Sequence, residues 1–309
     1  MDPIPEGHVG HTGPVYSVCA NDTWMFSGSQ DKTIIAWSVS GDLQILEGHT
    51  GGVKTVCVSD DGQFLFSGSY DKTIKVWHII DETWQLHKTL EGHTEEVESV
   101  CVSRDKLFSG SHDRTIKVWV ETGACVHTWE NLSGSVNSVC LSVDGSRLFL
   151  GDGDTKIKEL DMSGTCIQTL EGHHRAVLSV CVSGSRLFSG SVDWTIKVWN
   201  LKTGACLRTL IGHRDTVMSV CVLGSQLFSG GRDKTLRVWD LEVGRAVGVF
   251  DAGAYVNSVC VMPEDDNPNY GTLFAACWDC KVRYWDCDDD SPWLVEIPNK
   301  RTPYVSLRF

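Results

Sequence analysis

The stretch EGHHRAVLSVCVSGSRLFSGSVDWTIKVWN, residues Glu171 to Asn200, recurs throughout this chain in closely related forms. Similar stretches occur at Gly48–Trp77, Gly92–Trp119 and Gly212–Trp239, and each begins with Gly-His and ends with Trp. A repeat period of about 40 residues is typical of arrays in which each copy is one small structural unit. The period therefore decides the fold more directly than the chain length does.

Each unit is marked near its end by one large residue, which is tryptophan in six units and leucine in one. These residues are Trp37, Trp77, Trp119, Leu160, Trp199, Trp239 and Trp285. Four short runs rich in Val, Ile, Thr and aromatic residues lie within each unit, and turn residues separate them. Because no window shows helical periodicity over three turns, the sequence predicts an all-β fold with four antiparallel strands per unit.

Seven four-stranded units cannot form one open sheet without leaving long unpaired edges. A radial arrangement avoids this problem, because each small sheet packs against its two neighbours. Runs such as Ser179–Val182 are apolar on both faces, as such packing requires. We therefore predict a seven-bladed β-propeller that forms a single domain over residues 1–309.

The composition restricts the classes of partner. The chain has 27 basic and 40 acidic residues, a net charge of −13, and it contains no basic run. Because such a surface repels phosphate backbones, we expect no nucleic-acid partner. No apolar run approaches the length of a membrane helix, so no membrane association is expected.

The cysteines indicate the compartment. Seven of the thirteen occur once per unit in an SVCV-type run, at Cys19, Cys57, Cys101, Cys140, Cys181, Cys221 and Cys260. Single thiols locked to a repeat are read as buried core residues rather than disulfide partners. With no signal peptide at the start, MDPIPEGHVG, an intracellular location, cytoplasmic or nuclear, is expected.

The motifs Gly-His, SGSxD and TIKVW resemble those of the WD-repeat family over residues 10–285, and five units match closely. The resemblance implies a β-propeller that acts as a non-enzymatic interaction platform without a cofactor. It further implies a protein or peptide partner, bound by a monomeric propeller within a larger complex. The alternatives are a substrate-recognition propeller of a ubiquitin-ligase-type or other multi-domain regulatory protein, and a structural subunit that uses its sides.

The resemblance also implies that His, Ser, Asp and Trp of each unit form a hydrogen-bonded chain inside a blade. The sets are His11/Ser27/Asp31/Trp37, His49/Ser67/Asp71/Trp77, His93/Ser109/Asp113/Trp119, His173/Ser189/Asp193/Trp199 and His213/Ser229/Asp233/Trp239. Ser, His and Asp could instead suggest a nucleophilic triad. Five copies argue against catalysis, which needs one exposed nucleophile, so no catalytic residue is predicted.

Two units depart from this pattern. In the fourth, Leu132, Leu150 and Leu160 replace His, Ser and Trp, and we expect the surviving Asp154 to accept backbone N–H groups. In the seventh, Ala252 and Ala275 replace His and Ser. That unit also carries an insertion at residues 262–272, which we predict to be a surface loop.

The sequence gives little evidence for a metal site. Cys277, Cys280 and Cys287 lack a second ligand pair and are interpreted as core thiols. Asp265–Asp266 and Asp288–Asp290 lack the spacing of a calcium loop and are interpreted as solvated turns. No metal site is predicted.

By the resemblance, partners contact the top face through three positions per blade that differ from blade to blade in this chain. The candidate residues are Tyr16, Gln30, Lys54, Tyr70, Glu98, His112, Asn137, Leu178, Val192, Met218, Arg232, Tyr255, Asn257 and Trp278. The remaining positions of this set are Pro14, Gly52, Glu96, Ser135, Gly153, Ala176 and Thr216, and Trp194 is a further exposed-aromatic candidate. The alternative interpretation is ordinary variation of a surface.

Phosphopeptide recognition is not favoured, because only Arg232, Lys54 and, weakly, His112 supply positive charge at these positions. At the C-terminus, Trp293–Ile297 is predicted to form the outer strand of the seventh blade. Residues Thr302–Phe309 resemble the first strand of a further unit, and how they pair is left open.

Overall fold

The computed structural model describes residues 10–103, 106–130, 132–264, 267–286 and 294–296. Over these residues the chain forms seven four-stranded antiparallel sheets and no helix. The predicted all-β propeller with four strands per blade is confirmed. None of the described residues belongs to a helix long and apolar enough to span a membrane.

Each blade is formed from one contiguous segment, and its strands lie side by side in chain order. Blades 1 to 4 comprise β1 Val15–Ala20, β2 Trp24–Ser29, β3 Ile34–Ser38, β4 Leu43–Leu46; β5 Val53–Val58, β6 Phe64–Ser69, β7 Ile74–Ile80, β8 Thr83–Leu90; β9 Val97–Ser103, β10 Lys106–Ser111, β11 Ile116–Val120, β12 Cys125–Trp129; and β13 Val136–Leu141, β14 Arg147–Asp152, β15 Ile157–Asp161, β16 Cys166–Leu170. Blades 5 to 7 comprise β17 Val177–Ser183, β18 Arg186–Ser191, β19 Thr195–Asn200, β20 Cys206–Ile211; β21 Val217–Leu223, β22 Gln226–Gly231, β23 Thr235–Asp240, β24 Arg245–Asp251; and β25 Val256–Glu264, β26 Asn267–Cys277, β27 Val282–Asp286, β28 Leu294–Glu296.

The apolar core is divided into seven clusters, one between each pair of adjacent blades. The cluster between blades 5 and 6, for example, joins Phe188 and Val198 to Val217 and Trp239. The sheets approach so closely that a Cβ atom added at Gly190 would lie 2.7 Å from Cγ1 of Val217. The small residue of the SGS motif is therefore required for blade packing.

A ring of hydroxyl groups joins the first strands of neighbouring blades. In every blade, a Ser or Thr hydroxyl oxygen accepts a hydrogen bond from a backbone N–H of the next blade, at 3.1–3.4 Å. The pairs are Ser17 with Val56, Thr55 with Val100, Ser99 with Val139, Ser138 with Val180, Ser179 with Val220, Ser219 with Val259, and Ser258 with Val18. The last pair links blade 7 to blade 1. The sequence analysis did not predict these inter-blade hydrogen bonds, although a Ser or Thr precedes Val-Cys in every unit.

The ring closes by direct packing of blade 7 against blade 1. Val15, Val18 and Met25 of the first blade form one buried cluster with Phe274 and Ala276 of the last. Strand β28, which lies within the predicted outer strand, pairs with β27 and completes blade 7. Residues 1–9 and 302–309 lie outside the described part of the chain.

The insertion of blade 7 differs from the predicted surface loop. It lengthens the hairpin of β25 and β26, in which Met262 pairs with Thr272 and Pro263 with Gly271. The loop prediction is wrong for these pairs, because the flanking residues continue the ladder of β25 and β26. Asp265–Asp266 and Asp288–Asp290 lie outside the described residues.

Candidate functional site

The repeated His, Ser, Asp and Trp side chains meet inside the blades. In blade 5, Nδ1 of His173 lies 2.7 Å from Oδ2 of Asp193, and Nε2 lies 2.7 Å from Oγ of Ser189. Trp199 donates its indole N–H to the same hydroxyl oxygen at 2.9 Å. A neutral imidazole satisfies this chain, because Nδ1–H donates to the carboxylate and Nε2 accepts from the serine.

The same three contacts occur in blades 2, 3 and 6. In blade 1, His11 contacts Asp31 at 2.9 Å and Ser27 at 2.6 Å. Trp37 makes no hydrogen bond to Ser27, both residues being described, and its ring stands edge-on to His11. Ser27, Ser67, Ser109, Ser189 and Ser229 are fully buried, so their hydroxyl groups are placed to hold the blades together rather than to attack a substrate.

Blade 4 corrects the expectation for Asp154. The carboxylate that accepts backbone N–H groups is that of Asp152, which binds the N–H of Asp154 at 2.9 Å and of Lys156 at 3.1 Å. Asp152 is fully buried at the end of β14, whereas Asp154 is exposed. It takes over the turn bonds that Ser191 and Asp193 supply in blade 5.

Blade 7 replaces its lost histidine with an arginine. The buried Arg283 of β27 donates to both carboxylate oxygens of Asp279, at 2.9 and 2.6 Å. Ala252 and Ala275 are small and buried, which leaves room for the guanidinium group. Although burial alone would raise the pKa of Asp279, the bond from Arg283 lowers it.

The cysteines differ partly from the prediction. The seven repeated thiols lie at the margins of the blade clusters and are half-buried rather than fully buried. Burial still raises the pKa of six of them, for Cys57 to about 11 and for Cys181 to about 12. Cys277 is buried and Cys280 lies half-buried in the following turn, while Cys287 is outside the described residues. In the described part of the chain, no three His, Cys, Asp or Glu side chains are grouped to hold a metal ion.

The top face is the end of the propeller where the first strand of each blade begins. Near the start of every first strand, one residue interrupts the ladder as a β-bulge. The bulged residues are Tyr16, Lys54, Glu98, Asn137, Leu178, Met218 and Asn257. All seven are among the predicted top-face candidates, and a bulge turns a side chain out of the regular alternation.

Four aromatic side chains form a continuous group across blades 7, 1 and 2, which we call the aromatic patch. Tyr16 lies at its centre, with ring centroids 5.9 Å from Tyr70 and 6.2 Å from Trp278, both edge-to-face. Tyr255 extends the group, 6.2 Å from Trp278. Tyr70, Tyr255 and Trp278 are exposed by 38%, 39% and 46%, respectively.

A charged pair borders the aromatic patch. The ammonium group of Lys54 lies 4.9 Å from the ring centroid of Tyr70, 5.5 Å from that of Tyr16 and 3.0 Å from Oε2 of Glu98. Burial alone would lower the pKa of Lys54, but Glu98 and Tyr70 together raise it. Burial, with contributions from Tyr70 and Glu98, raises the pKa of Tyr16 to about 12. His112 adds its ring at 4.0 Å from Glu98.

The other candidates divide into two groups. Asn137 and Asn257 donate their amide N–H to the backbone oxygens of Val177 and Val15 in the next blade, so they help to hold adjacent blades. Gln30, Arg232 and His112 are exposed, whereas Leu178, Val192 and Met218 are half-buried. Trp194 is 52% exposed and has a φ of 71°, at the position where blades 1, 2, 3 and 6 have Lys or Arg.

Comparisons with known proteins agree with this architecture. The family described as "WD domain, G-beta repeat" matches seven times, at residues 5–38, 41–78, 84–120, 123–159, 164–200, 204–240 and 244–286. A crystal structure of the WD40 β-propeller domain of Doa1 is similar, with 27% identity and a TM-score of 0.81 over 92% of this chain and 96% of that one. No curated protein gives a significant match. The chain belongs to the WD40 family of G-beta repeat propellers.

Proposed function

We propose that the protein is a non-enzymatic interaction module that docks a peptide or protein segment on its top face, with the aromatic patch as the anchor. The observation that carries the proposal is the exposure of three contacting aromatic rings beside a fourth, half-buried one. Trp and Tyr contribute large contact areas at small entropic cost and are enriched among residues that dominate binding energy. WD40 propellers typically serve as scaffolds for protein interactions, which agrees with this proposal.

The aromatic patch is held rigidly before any partner arrives. Tyr16 sits on a bulge, and the Lys54–Glu98 ion pair fixes the ammonium group over two of the rings. Gly52 keeps this region compact, because a Cβ atom there would lie 3.1 Å from Cδ2 of Tyr70 and 3.1 Å from Cα of Gln30. A preorganised surface loses little freedom when it binds.

An assembly role through the sides is the second candidate. The outer strands of blades 4 to 6 expose apolar side chains, including Ile167, Leu207 and Val247. These residues are spread singly over separate blades, whereas the aromatic patch is continuous, so the top face is favoured. The propeller would act as a monomer within a larger complex, in which a ligase-type receptor remains one possible setting. The free thiols of the described cysteines support a reducing, intracellular compartment.

Selection of peptides on the immobilised protein tests the proposal. A displayed random-peptide library should yield enriched sequences, and their binding should fall at least tenfold, about 1.4 kcal/mol, in a Tyr70→Ala/Trp278→Ala variant. The matched control is Ile167→Ala/Leu207→Ala, which removes two exposed apolar side chains from the sides. Equal binding by wild type and the Tyr70/Trp278 variant, with loss in the control variant, would place the docking surface on the sides instead.

A further inference from the structure

We infer that the segment docked on the top face is acidic, and that its carboxylates contact a sector of unpaired arginines across blades 5 and 6. This inference rests on the proposed function, because it assigns the chemical class of the same partner. The sector comprises Arg175, Arg214 and Arg232, with Trp194 in the turn between β18 and β19 of blade 5. It lies on blades other than those that carry the aromatic patch.

Hydrogen bonds hold the backbone of this sector, whereas its guanidinium groups have no partner among the described residues. Arg214 donates its backbone N–H to the carboxylate of Asp233 at 2.9 Å, and Arg232 donates its own to the carbonyl oxygen of Thr216 at 2.9 Å. The carbonyl of Arg175 accepts the hydroxyl of Ser191 at 3.1 Å. All three residues are exposed, and their side chains form no ion pair or hydrogen bond with any described residue.

Two carboxylates elsewhere on the top face are already engaged in ion pairs. Glu98 is paired with Lys54 at 3.0 Å, and Glu95 with Lys72 at 3.5 Å. In blades 5 and 6, the turn carboxylates Asp193 and Asp233 are bound by their histidines. The sector therefore keeps unpaired positive charge on a chain whose net charge is −13.

One departure from the repeat removes an acidic side chain from the blade 6 part of this sector. The position held by Glu47, Glu91 and Glu171 in other blades is Ile211 in blade 6, and it is 78% exposed. Asp215, the one acidic residue in the loop before β21, accepts the backbone N–H of Thr216 at 2.6 Å. Because none of the three guanidinium groups is paired with a described carboxylate, an external carboxylate is the complementary group.

Trp194 adds a planar contact to the same sector. Its counterpart in blade 2, Lys72, reaches across to the next blade and donates to the carbonyl oxygen of Thr94 at 2.6 Å. By its place in the repeat, Arg214 of blade 6 corresponds to Thr94 of blade 3. An exposed tryptophan on the same blades as the arginines suits an acidic segment that also carries an apolar side chain.

A peptide is favoured over a nucleic acid as the anionic ligand. A long polyanion would be repelled by the net charge of −13 over most of the surface, whereas a short acidic segment needs only the local sector. Carboxylate and phosphate groups share the chemistry that arginine recognises. The experiment therefore includes both groups.

The test uses the selected peptides and a triple variant, Arg175→Ala/Arg214→Ala/Arg232→Ala. The enriched pool should contain more Asp and Glu than the input library, and the variant should bind it about tenfold more weakly at low salt, with a smaller difference at high salt. The matched control is Arg186→Ala/Lys202→Ala/Arg245→Ala, which removes the same charge from the opposite end of the propeller. This control should bind as the wild type does.

The outcomes separate the two proposals. A neutral or basic pool, or equal binding by the arginine variant, overturns the acidic partner, while loss in the Tyr70/Trp278 variant would still support top-face docking. Stronger binding of phosphoserine than of glutamate versions supports the anionic sector and identifies phosphate as the preferred source. Arginine-dependent binding of a single-stranded oligonucleotide, with no binding of the acidic peptides, overturns the inference.

Discussion

A single buried hydroxyl group holds each complete His-Ser-Asp-Trp network. Oγ of Ser189 is shared by His173 and Trp199, so Ser189→Ala would leave both rings without a partner. We expect this substitution to lower the free energy of unfolding by about 1–3 kcal/mol, because unsatisfied buried polar groups are costly. Urea denaturation measures the effect through the midpoint at constant slope.

In blade 7 the missing serine hydroxyl can be introduced instead of removed. The indole nitrogen of Trp285 is buried without a hydrogen-bond partner among the described residues, and Ala275 occupies the serine position. Ala275→Ser should therefore stabilise the protein by about 0.5–1.5 kcal/mol. Destabilisation by Ala275→Ser together with no effect of Ser189→Ala would contradict the role assigned to this hydroxyl.

The turn carboxylates predict how stability depends on pH. Hydrogen bonds from histidine, threonine and backbone groups outweigh burial and lower the pKa of Asp31, Asp71, Asp113, Asp193 and Asp233. Because the folded pKa lies below the unfolded value, this contribution is complete above about pH 4 and is lost as the pH falls further. Asp193→Asn should give a shallower loss of melting temperature below that pH, and an unchanged slope would count against the assignment.

At the scale of the element, blade 4 shows that the polar network is replaced as a unit. Leu150 and Leu160 are buried together, and Leu132 packs against the same cluster. Leu150→Ser alone should cost about 3 kcal/mol, because it combines a cavity with an unpaired hydroxyl. Leu132→His/Leu150→Ser/Leu160→Trp should cost less than the sum of its single changes. Additive losses in denaturant unfolding would show that the three positions act independently.

Other element-level features show how far the sequence could predict the structure. The period and the strand pattern predicted every blade, because packing repeats the same residues in each copy. The turn of blade 4 was misassigned, since Asp152 and Asp154 both lie in GDGDTK and only the geometry shows that Asp152 is buried. Arg283 binds the turn aspartate of blade 7, as histidine does in other blades, but it lies at a different position of the repeat. Its pairing with Asp279 could therefore not be found by comparing units. The contacts within the aromatic patch could not be predicted either, because they join residues from three blades.

At the scale of the whole molecule, the radial arrangement divides the thiols into two classes. Cys125, Cys166 and Cys206 are exposed on outer strands, whereas the seven repeated cysteines of the first strands are half-buried, and burial raises the pKa of six of them. Alkylation of the native protein at neutral pH should therefore modify the three outer thiols first. Peptide mapping by mass spectrometry locates the label. Equally rapid modification of Cys57 and Cys181 would contradict the packing of the first strands.

Site-specific photo-crosslinking tests whether the top face is the docking surface. Benzoylphenylalanine replaces Tyr255 on the top face, Ile167 on the side or Val143 in the turn between β13 and β14 at the opposite end, all of which are exposed. A selected peptide should crosslink to the protein from position 255 and not from 167 or 143. Crosslinking from position 167 or 143, with none from 255, would contradict top-face docking.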